Sequence, residues 1–252
     1  MGYKVCLSFG IKGFLIINSQ IYNITSEILQ DKDIFQKYIC QNLQNNYYWS
    51  DDWSEEFYIE LAKAGFISTS HETANGLVLL PELQLDYAIL DFKNLHISTK
   101  VKKLLNKDNH ELKINTRFNE VLNRFDTQHK YNWLKDEYVE LLKNLHKNND
   151  TKVNFRIISV ELICKDTDTL VAGEVGYIIG KTYTSLSGFS SKEKKYVNYG
   201  TLQLVLLAKF LEKNDFKFWN LGHPHMTYKQ KLGCEIYSRS EFLKRWDEAV
   251  GC

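Results

Sequence analysis

The feature that most constrains the fold of this chain is a series of β-rich runs in its last hundred residues. Three such runs follow one another at 159–162, 170–177 and 181–189. Glycine inside a strand pattern is typical of strands that bend, bulge or let a ligand approach the backbone. The region therefore predicts a bent or bulged sheet with backbone that a ligand can reach. The glycines that interrupt the runs are Gly173, Gly176, Gly180 and Gly188.

The size and composition are those of a globular protein. The 252 residues, 44% of them hydrophobic and 25% charged, are enough to bury a substantial core. We expect two packed units, a small N-terminal unit at 1–80 and a larger domain at 81–252. Lys and Arg number 32 against 31 Asp and Glu, so the net charge indicates no particular partner and any nucleic-acid site must be a local patch.

The cysteines and the hydropathy pattern indicate where the chain functions. Five widely spaced cysteines without a C-x-x-C pair indicate reduced thiols, and hence a cytoplasmic protein. The apolar run at 14–17 is too short for a membrane span, so we expect no membrane partner. His223, His225 and Cys234 lack the paired-cysteine spacing of a zinc site, so no metal is expected. The cysteines are Cys6, Cys40, Cys164, Cys234 and Cys252.

Capping residues and apolar spacing predict the helices. Ser54 is predicted to be the N-cap of a helix that ends at Gly65. Ser98 and Ser238 are expected to open two later helices, and a further helix is expected to follow Gly200. Apolar residues at i, i+3, i+4 and i+7 from 118 predict another. At the start of the chain, two β-like runs around 10–13 predict a hairpin.

Six short motifs stand in a fixed order between about residues 49 and 246. The order resembles that of the leucyl/phenylalanyl-tRNA protein transferases. The resemblance implies an α/β (α+β) fold in which a GNAT-like acyltransferase sheet is flanked by helices. The motifs are Asp52-Trp-Ser-Glu-Glu, Ala64-Gly-Phe, Leu95-His-Ile-Ser, Asn132-Trp-Leu, Ser159-Val-Glu and Leu170-Val-Ala-Gly.

The resemblance also implies a reaction. Members of the family move Leu or Phe from a charged tRNA to the N-terminal amine of a protein, which marks that protein for degradation as an N-degron. The implied partners are an aminoacyl-tRNA and an acceptor protein or peptide N-terminus, and no cofactor is implied. Aminolysis of an ester is favourable, so a catalyst chiefly positions the amine and stabilises the developing oxyanion.

Binding residues are carried over where the motifs match. Trp133 corresponds to the tryptophan that stacks on the terminal adenine, and its alternative role is that of a core residue. A lysine cluster stands where the family presents a basic surface to tRNA, although such a run is also typical of a solvated helix face. A second cluster at 192–195 reads as an exposed polar loop. The first cluster comprises Lys100, Lys102, Lys103 and Lys107.

The amino-acid pocket departs from the family pattern. Where the family has Gly-Glu-Ser-Met-Phe, this chain has Ser-Leu-Ser-Gly-Phe at 185–189. Leu186 cannot orient a substrate as the glutamate does, and Gly188 in place of methionine leaves a larger pocket. The residues expected to shape the pocket are Tyr183, Ser185, Leu186, Ser187, Gly188 and Phe189.

The catalytic loop departs as well. The family's Asp-Cys-Gln becomes Asn-Leu-Gly at 220–222, and Asn220 can form hydrogen bonds but cannot act as a general base. His223 or His225 is the candidate base, or else a structural or exposed residue of the turn. Glu161 and Glu174 are a further candidate acid–base pair, although carboxylates on strands are expected to face solvent.

Three functions therefore remain open. The first is an aminoacyltransferase. The second is a catalytically inactive binding module of the same fold that recognises a peptide N-terminus or a partner protein. The third is a CoA-dependent N-acyltransferase, which the region 196–202 disfavours because it has one glycine and no basic residue at its start.

Overall fold

The computed structural model of the chain describes residues 21–128, 133–148 and 154–251. The hairpin predicted around 10–13 lies outside the described residues. The described residues form two compact units. The first contains the residues up to Leu85 together with Trp133–Leu141, and the second contains the described parts of 86–132 and 142–252.

The first unit combines short helices with a hairpin. Helix α3 is confirmed as predicted, because Ser54 Oγ accepts the Phe57 N–H (3.3 Å) and the helix buries Phe57 and Leu61. Strand β1 pairs with β2 in parallel, and β3 pairs with β4 in an antiparallel hairpin. The elements are β1 Tyr22–Asn23, α1 Ser26–Gln30, α2 Lys32–Ile34, a π-helical turn Phe35–Cys40, β2 Tyr48–Trp49, α3 Glu55–Lys63, β3 Ile67–Thr73 and β4 Gly76–Glu82.

The second unit is built on a seven-stranded mixed sheet in the order β11-β5-β10-β9-β8-β7-β6. All neighbouring strands in it are antiparallel except β9 and β10, which are parallel. A mixed sheet with flanking helices confirms the predicted α/β (α+β) class. The strands are β5 Asp86–Leu90, β6 His110–Ile114, β7 Arg156–Cys164, β8 Thr169–Ile179, β9 Thr182–Ser190, β10 Phe218–Asn220 and β11 Glu235–Ser238.

Helices lie on both faces of this sheet. Phe125 of α5 contacts Phe189 of β9 (ring centroids 5.9 Å apart), and Phe189 is paired with Gly173. Gln203 of α7 instead donates to Glu174, the residue after Gly173, whose side chain points to the opposite face. Helices α5 and α7 therefore cover opposite faces. The remaining helices are α4 Thr99–Leu105, α5 Phe118–Gln128, α6 Asp136–Lys147, α7 Tyr199–Lys213, α8 Thr227–Leu232 and α9 Arg239–Val250.

The predicted helix starts are confirmed, with one shift. Ser98 caps α4, and Ser238 forms a capping box with Glu241 at the start of α9. Gly200 was expected to precede α7 but lies in its first turn. The helix approaches β9 closely there, since a Cβ on Gly200 would come within 2.9 Å of Ser190 Cβ. The glycine is therefore a packing residue.

Candidate functional site

The candidate site lies where the two parallel strands separate. Strand β10 pairs with β9 only over 182–184, after which β9 continues to Ser190. The chain after Asn220 stays instead with β5, because Ala88 donates to the Gly222 carbonyl (2.9 Å) and Leu221 donates back to Ala88 (2.9 Å). A crevice at the carboxyl ends of diverging parallel strands is a common ligand site in α/β sheets.

A β-bulge begins in β9 just after its last residue paired with β10. Val175 of β8 pairs with Ser187, whereas the next residue, Gly176, pairs with Ser185, so Leu186 is an extra residue. A bulge leaves one residue outside the ladder and bends its strand. One bulge of the kind that the glycine series predicted therefore lies next to the point where β9 leaves β10.

A buried group of polar side chains connects the strands there. Glu174 is almost completely buried, and its carboxylate accepts hydrogen bonds from Tyr183 OH (2.8 Å), Ser185 Oγ (2.9 Å) and Gln203 Nε2 (3.0 Å). Ser185 Oγ in turn accepts from Trp219 Nε1 (2.8 Å). These five residues, the Glu174 cluster, join β8, β9, β10 and α7 through one carboxylate.

Burial and hydrogen bonding act against each other at Glu174. Removal from water raises the pKa of its carboxyl above the usual value, whereas the three donors and the positive charge of Lys229 lower it. Burial, followed by the charge of Glu174, raises the pKa of Tyr183 well above its usual value, so this phenol remains a donor. The cluster is therefore held by a hydroxyl that does not ionise near neutral pH.

Two glycines of the predicted series make room for this cluster. A Cβ on Gly176 would lie 2.4 Å from Tyr183 OH, so the tyrosine can cross β8 only above a glycine. A Cβ on Gly188 would come within 3.2 Å of Glu174 Cβ. These glycines therefore allow the side chains around the buried Glu174 carboxylate to pack closely.

The expectation that Glu161 and Glu174 face solvent is wrong, because both are buried. Glu161 accepts from the backbone N–H groups of Thr116 and Arg117 (both 3.3 Å) just before α5. It pairs across the strands with Gly173, the residue next to Glu174, so the two carboxylates point to opposite faces. They do not form an acid–base pair.

Asn220 is fully buried at the last paired position of β10. Its Oδ1 accepts the Gly222 N–H (2.9 Å), and its Nδ2 has no hydrogen-bond partner among the described residues. Because its neighbour Trp219 belongs to the Glu174 cluster, Asn220 points to the opposite face of the sheet. A buried donor without a partner is uncommon in folded proteins. It marks this position as one that an added acceptor would satisfy.

The two candidate histidines lie in residues 221–225, the post-β10 segment. Both His223 and His225 are exposed, and their ring centroids are 5.9 Å apart. The structure therefore brings these two exposed residues close to each other.

Sequence reasoning missed Lys229, which is only 4% exposed on α8. Its Nζ donates to the Leu221 carbonyl and to the His223 carbonyl (2.7 Å). Burial lowers its pKa to about 8, although the ionised forms of Cys234 and Glu174 favour protonated Lys229. The only signal in the sequence is its i, i+3 spacing to the buried Leu232.

The residues predicted to form the amino-acid pocket divide between two faces. Tyr183 and Ser185 belong to the Glu174 cluster, whereas Phe189 packs against Phe125 on the α5 face. Leu186 and Ser187 are half-buried and Gly188 is exposed. A cavity of about 430 Å³ borders Phe189. Its other lining residues are Arg124, Thr169, Leu170, Ser191, Lys192 and Glu193.

The predicted tRNA contacts occupy two other places. Trp133 belongs to the first unit, where it is half-buried, with its ring edge-on to Tyr138 (centroids 5.1 Å apart) and its carbonyl bonded to Ser70 Oγ. The lysine cluster at 100–107 is exposed on and just after α4, whose Val101 is buried. In the second cluster, Lys195 forms an ion pair with Glu193 (3.1 Å).

In the part of the chain that the structure describes, no three His, Cys, Asp or Glu residues are grouped as a metal site would require. Within the same residues, no helix has the length and hydropathy needed to cross a membrane.

Comparison with known proteins identifies the family. The model of the family described as leucyl/phenylalanyl-tRNA protein transferase matches residues 89–247, which is more than half of the chain. The chain belongs to this family. The matched range contains the diverging strands, the Glu174 cluster and Lys229, and it confirms the resemblance recognised in the sequence.

Solved structures with similar folds are distant. FemX is 10% identical, with a TM-score of 0.45 over 72% of this chain and 66% of its own. L-PGS from Bacillus licheniformis is 10% identical, with a TM-score of 0.40 over 74% of this chain and 67% of its own. No curated protein matches the chain.

Proposed function

We propose that this transferase-family protein moves an amino acid of the leucine or phenylalanine type from an aminoacyl-tRNA to the N-terminal amine of a protein. The family match over 89–247 carries the proposal, because that range contains the separation of β9 and β10 and the residues around it. The modified acceptor is an N-degron, and the reaction belongs to the cytoplasm.

The reaction needs little covalent participation by the protein. The acceptor nitrogen attacks the carbonyl carbon of the aminoacyl ester, a C–N bond forms, and the bond to the terminal ribose oxygen breaks. One proton leaves the amine and one reaches the ribose oxygen. Holding amine and ester together supplies most of the acceleration in such a reaction, followed by hydrogen bonds to the oxyanion.

Asn220 is the donor that we assign to the reacting carbonyl. Its unpartnered Nδ2 at the end of the β9–β10 pairing supports this role, since a substrate oxygen or a bridging water would satisfy it. Asparagine cannot take the amine proton. Either His223 or His225 is assigned as the acceptor of that proton, and their exposure beside this position is consistent with that role.

The remaining assignments concern the two parts of the aminoacyl-tRNA, its amino acid and its tRNA. Within 183–189 we assign Leu186 and Ser187 to the amino-acid side chain, because both are half-buried at the bulge beside the place where β9 leaves β10. The partly exposed ring of Trp133 is assigned to the terminal adenine, and the lysine cluster at 100–107 to backbone phosphates.

A transfer assay tests the proposal. Purified protein is given radiolabelled Leu-, Phe- and other aminoacyl-tRNAs with a peptide that starts with Arg or Lys, and label in the peptide is measured. The same peptide with an acetylated N-terminus is the control and is expected to remain unlabelled. Absence of label with every donor would contradict the proposal.

A paired substitution tests the adenine contact. Trp133→Ala is expected to weaken tRNA binding by about 5- to 150-fold, because one base-stacking contact contributes about 1–3 kcal/mol. Trp133→Phe keeps an aromatic face and is expected to retain most of the affinity. Equal affinity of all three proteins would remove Trp133 from the site.

One observation favours the second function, a binding module without catalysis. Leu186, Asn220 and Gly222 stand where the family has glutamate, aspartate and glutamine, so three functional groups are replaced together. Calorimetric titration with Arg- or Lys-initiated peptides separates the two functions, since binding without label transfer identifies the module. A thermal shift with CoA would instead support the N-acyltransferase.

A further inference from the structure

We infer that Lys229 is the positioning residue of this site, and that its side-chain ammonium holds the post-β10 segment where β9 and β10 separate. The inference rests on the proposed function, because the segment carries the two histidines assigned to proton transfer. The positioning itself can be measured without any transfer.

The hydrogen bonds of the segment alternate between two supports. Strand β5 bonds the Leu221 N–H and the Gly222 carbonyl, both through Ala88 at 2.9 Å. Lys229 bonds the Leu221 carbonyl and the His223 carbonyl. The segment is therefore held by β5 and by one buried ammonium at the place where its former neighbour β9 has left.

The helix that carries Lys229 is itself fixed. A Cβ on Gly233, the C-cap of α8, would lie 2.0 Å from the Asn94 carbonyl oxygen, so the helix end meets that backbone directly. His96 donates to α8 twice, from its N–H to the Leu232 carbonyl (2.9 Å) and from Nδ1 to the Lys231 carbonyl (3.1 Å). The Lys229 side chain thus extends from a helix with fixed backbone contacts to a segment that is bonded by β5 and by Lys229 itself.

The charge of Lys229 makes the contact dependent on pH. Hydrogen bonds from an ammonium group are about twice as strong as those between neutral groups. Glu174 of β8 and Cys234 before β11 favour the charged form, whereas burial lowers the pKa of Lys229 to about 8. Tyr228 and Lys231 on α8, and His223 and His225 in the segment, are further titratable groups of this region. The hydrogen bonds from Lys229 to the post-β10 segment are therefore strongest below about pH 8 and weaken above it.

Three variants isolate the ammonium. Lys229→Met removes the charge and both donors while keeping a long flexible chain, and Lys229→Arg keeps a charge that persists at high pH. Lys231→Met is the matched control, since Lys231 lies on the same helix and is exposed.

Hydrogen–deuterium exchange measures the hold directly. In peptides covering 221–226 at pH 7, Lys229→Met is expected to exchange about tenfold faster than the unsubstituted protein, the effect of losing a hydrogen bond to a charged group. Lys231→Met is expected to match the unsubstituted protein. Equal protection in Lys229→Met and the unsubstituted protein would overturn the inference.

A pH comparison keeps the inference testable if Lys229→Met does not fold. After correction for intrinsic exchange, the unsubstituted protein is expected to loosen at 221–226 between pH 7 and pH 9, and Lys229→Arg is expected not to. The same loosening in both proteins, or none in either, would overturn it.

Transfer kinetics separate this inference from the proposed function. The fall of kcat/KM above about pH 8 is expected to move to higher pH in Lys229→Arg with the same acceptor. If the protein transfers nothing and exchange still depends on Lys229, the proposed function fails and the positioning role stands. If the protein catalyses transfer but substitution of Lys229 changes neither the deuterium exchange nor the pH profile of kcat/KM, only the positioning role fails.

Discussion

At the scale of single residues, Glu174 makes stability depend on pH. Burial raises its pKa in the folded protein above the ordinary 4.5, so the folded state binds this proton more tightly than the unfolded state does. Folding stability from this group is therefore lost as the pH rises from about 4.5 through the folded-state pKa. A glutamine at position 174 has no such proton to lose. The amide of Gln203 can rotate so that its oxygen accepts a hydrogen bond from the new side-chain NH₂ group.

We expect Glu174→Gln to gain stability relative to the unsubstituted protein as the pH rises from 4.5 to 7.5. Each unit of raised pKa corresponds to about 1.4 kcal/mol of unfolding free energy. Urea denaturation at pH 4.5, 6 and 7.5 measures the difference. Glu212→Gln, an exposed change on α7, is the control and should follow the unsubstituted protein. Parallel pH curves for all three would contradict this account of Glu174.

The sequence could not reveal this cluster. Glu174 meets donors that lie 9 and 29 residues further along the chain, Tyr183 and Gln203, and a strand pattern does not indicate such distant partners. Lys229 and Lys231 are the same residue type two positions apart, yet only Lys229 is buried. Asn220 is recognisable in the sequence because it occupies a family position, whereas its unpartnered Nδ2 depends on three-dimensional packing.

At the scale of elements, the features that depend on residues close in sequence were predictable. The caps at Ser54, Ser98 and Ser238 and the apolar spacing from 118 depend on neighbours within one or two turns, and all are confirmed. The bulge at Leu186 depends on the register between β8 and β9. The separation of β9 from β10 depends on pairing between residues far apart in the chain, such as Thr182 with Phe218. Neither leaves a local pattern.

Gly233 tests how firmly α8 is anchored. Its φ of +103° disfavours alanine, and a Cβ there would also meet the Asn94 carbonyl oxygen at 2.0 Å. Asparagine tolerates positive φ better than alanine but carries the same Cβ. We therefore expect Gly233→Ala and Gly233→Asn to lower the unfolding free energy similarly, each by about 3 kcal/mol. Chemical denaturation checks this, and a nearly unchanged Gly233→Asn would mean that backbone strain alone matters.

At the scale of the whole molecule, charge balance limits how tRNA can be bound. With 32 basic and 31 acidic residues the chain has no strong overall field, so attraction to phosphates must be local. The fold class and the family were predictable at this scale, because the order of motifs along the chain survives changes at individual positions. The charge balance itself does not indicate which lysines face the ligand.

Two sets of substitutions with equal total charge identify the binding face. Replacing the lysine cluster at 100–107 by glutamine changes the net charge from +1 to −3, and so does replacing Lys181, Lys209, Lys213 and Lys217, which are also exposed. Long-range repulsion is therefore the same in both variants. If the cluster on α4 contacts phosphates, only its loss should lower the slope of log K against log salt, by about 0.7–0.9 for each contact removed. Fluorescence anisotropy with labelled tRNA at several salt concentrations measures the slopes, and equal slopes would identify the α4 lysines as a solvated helix face.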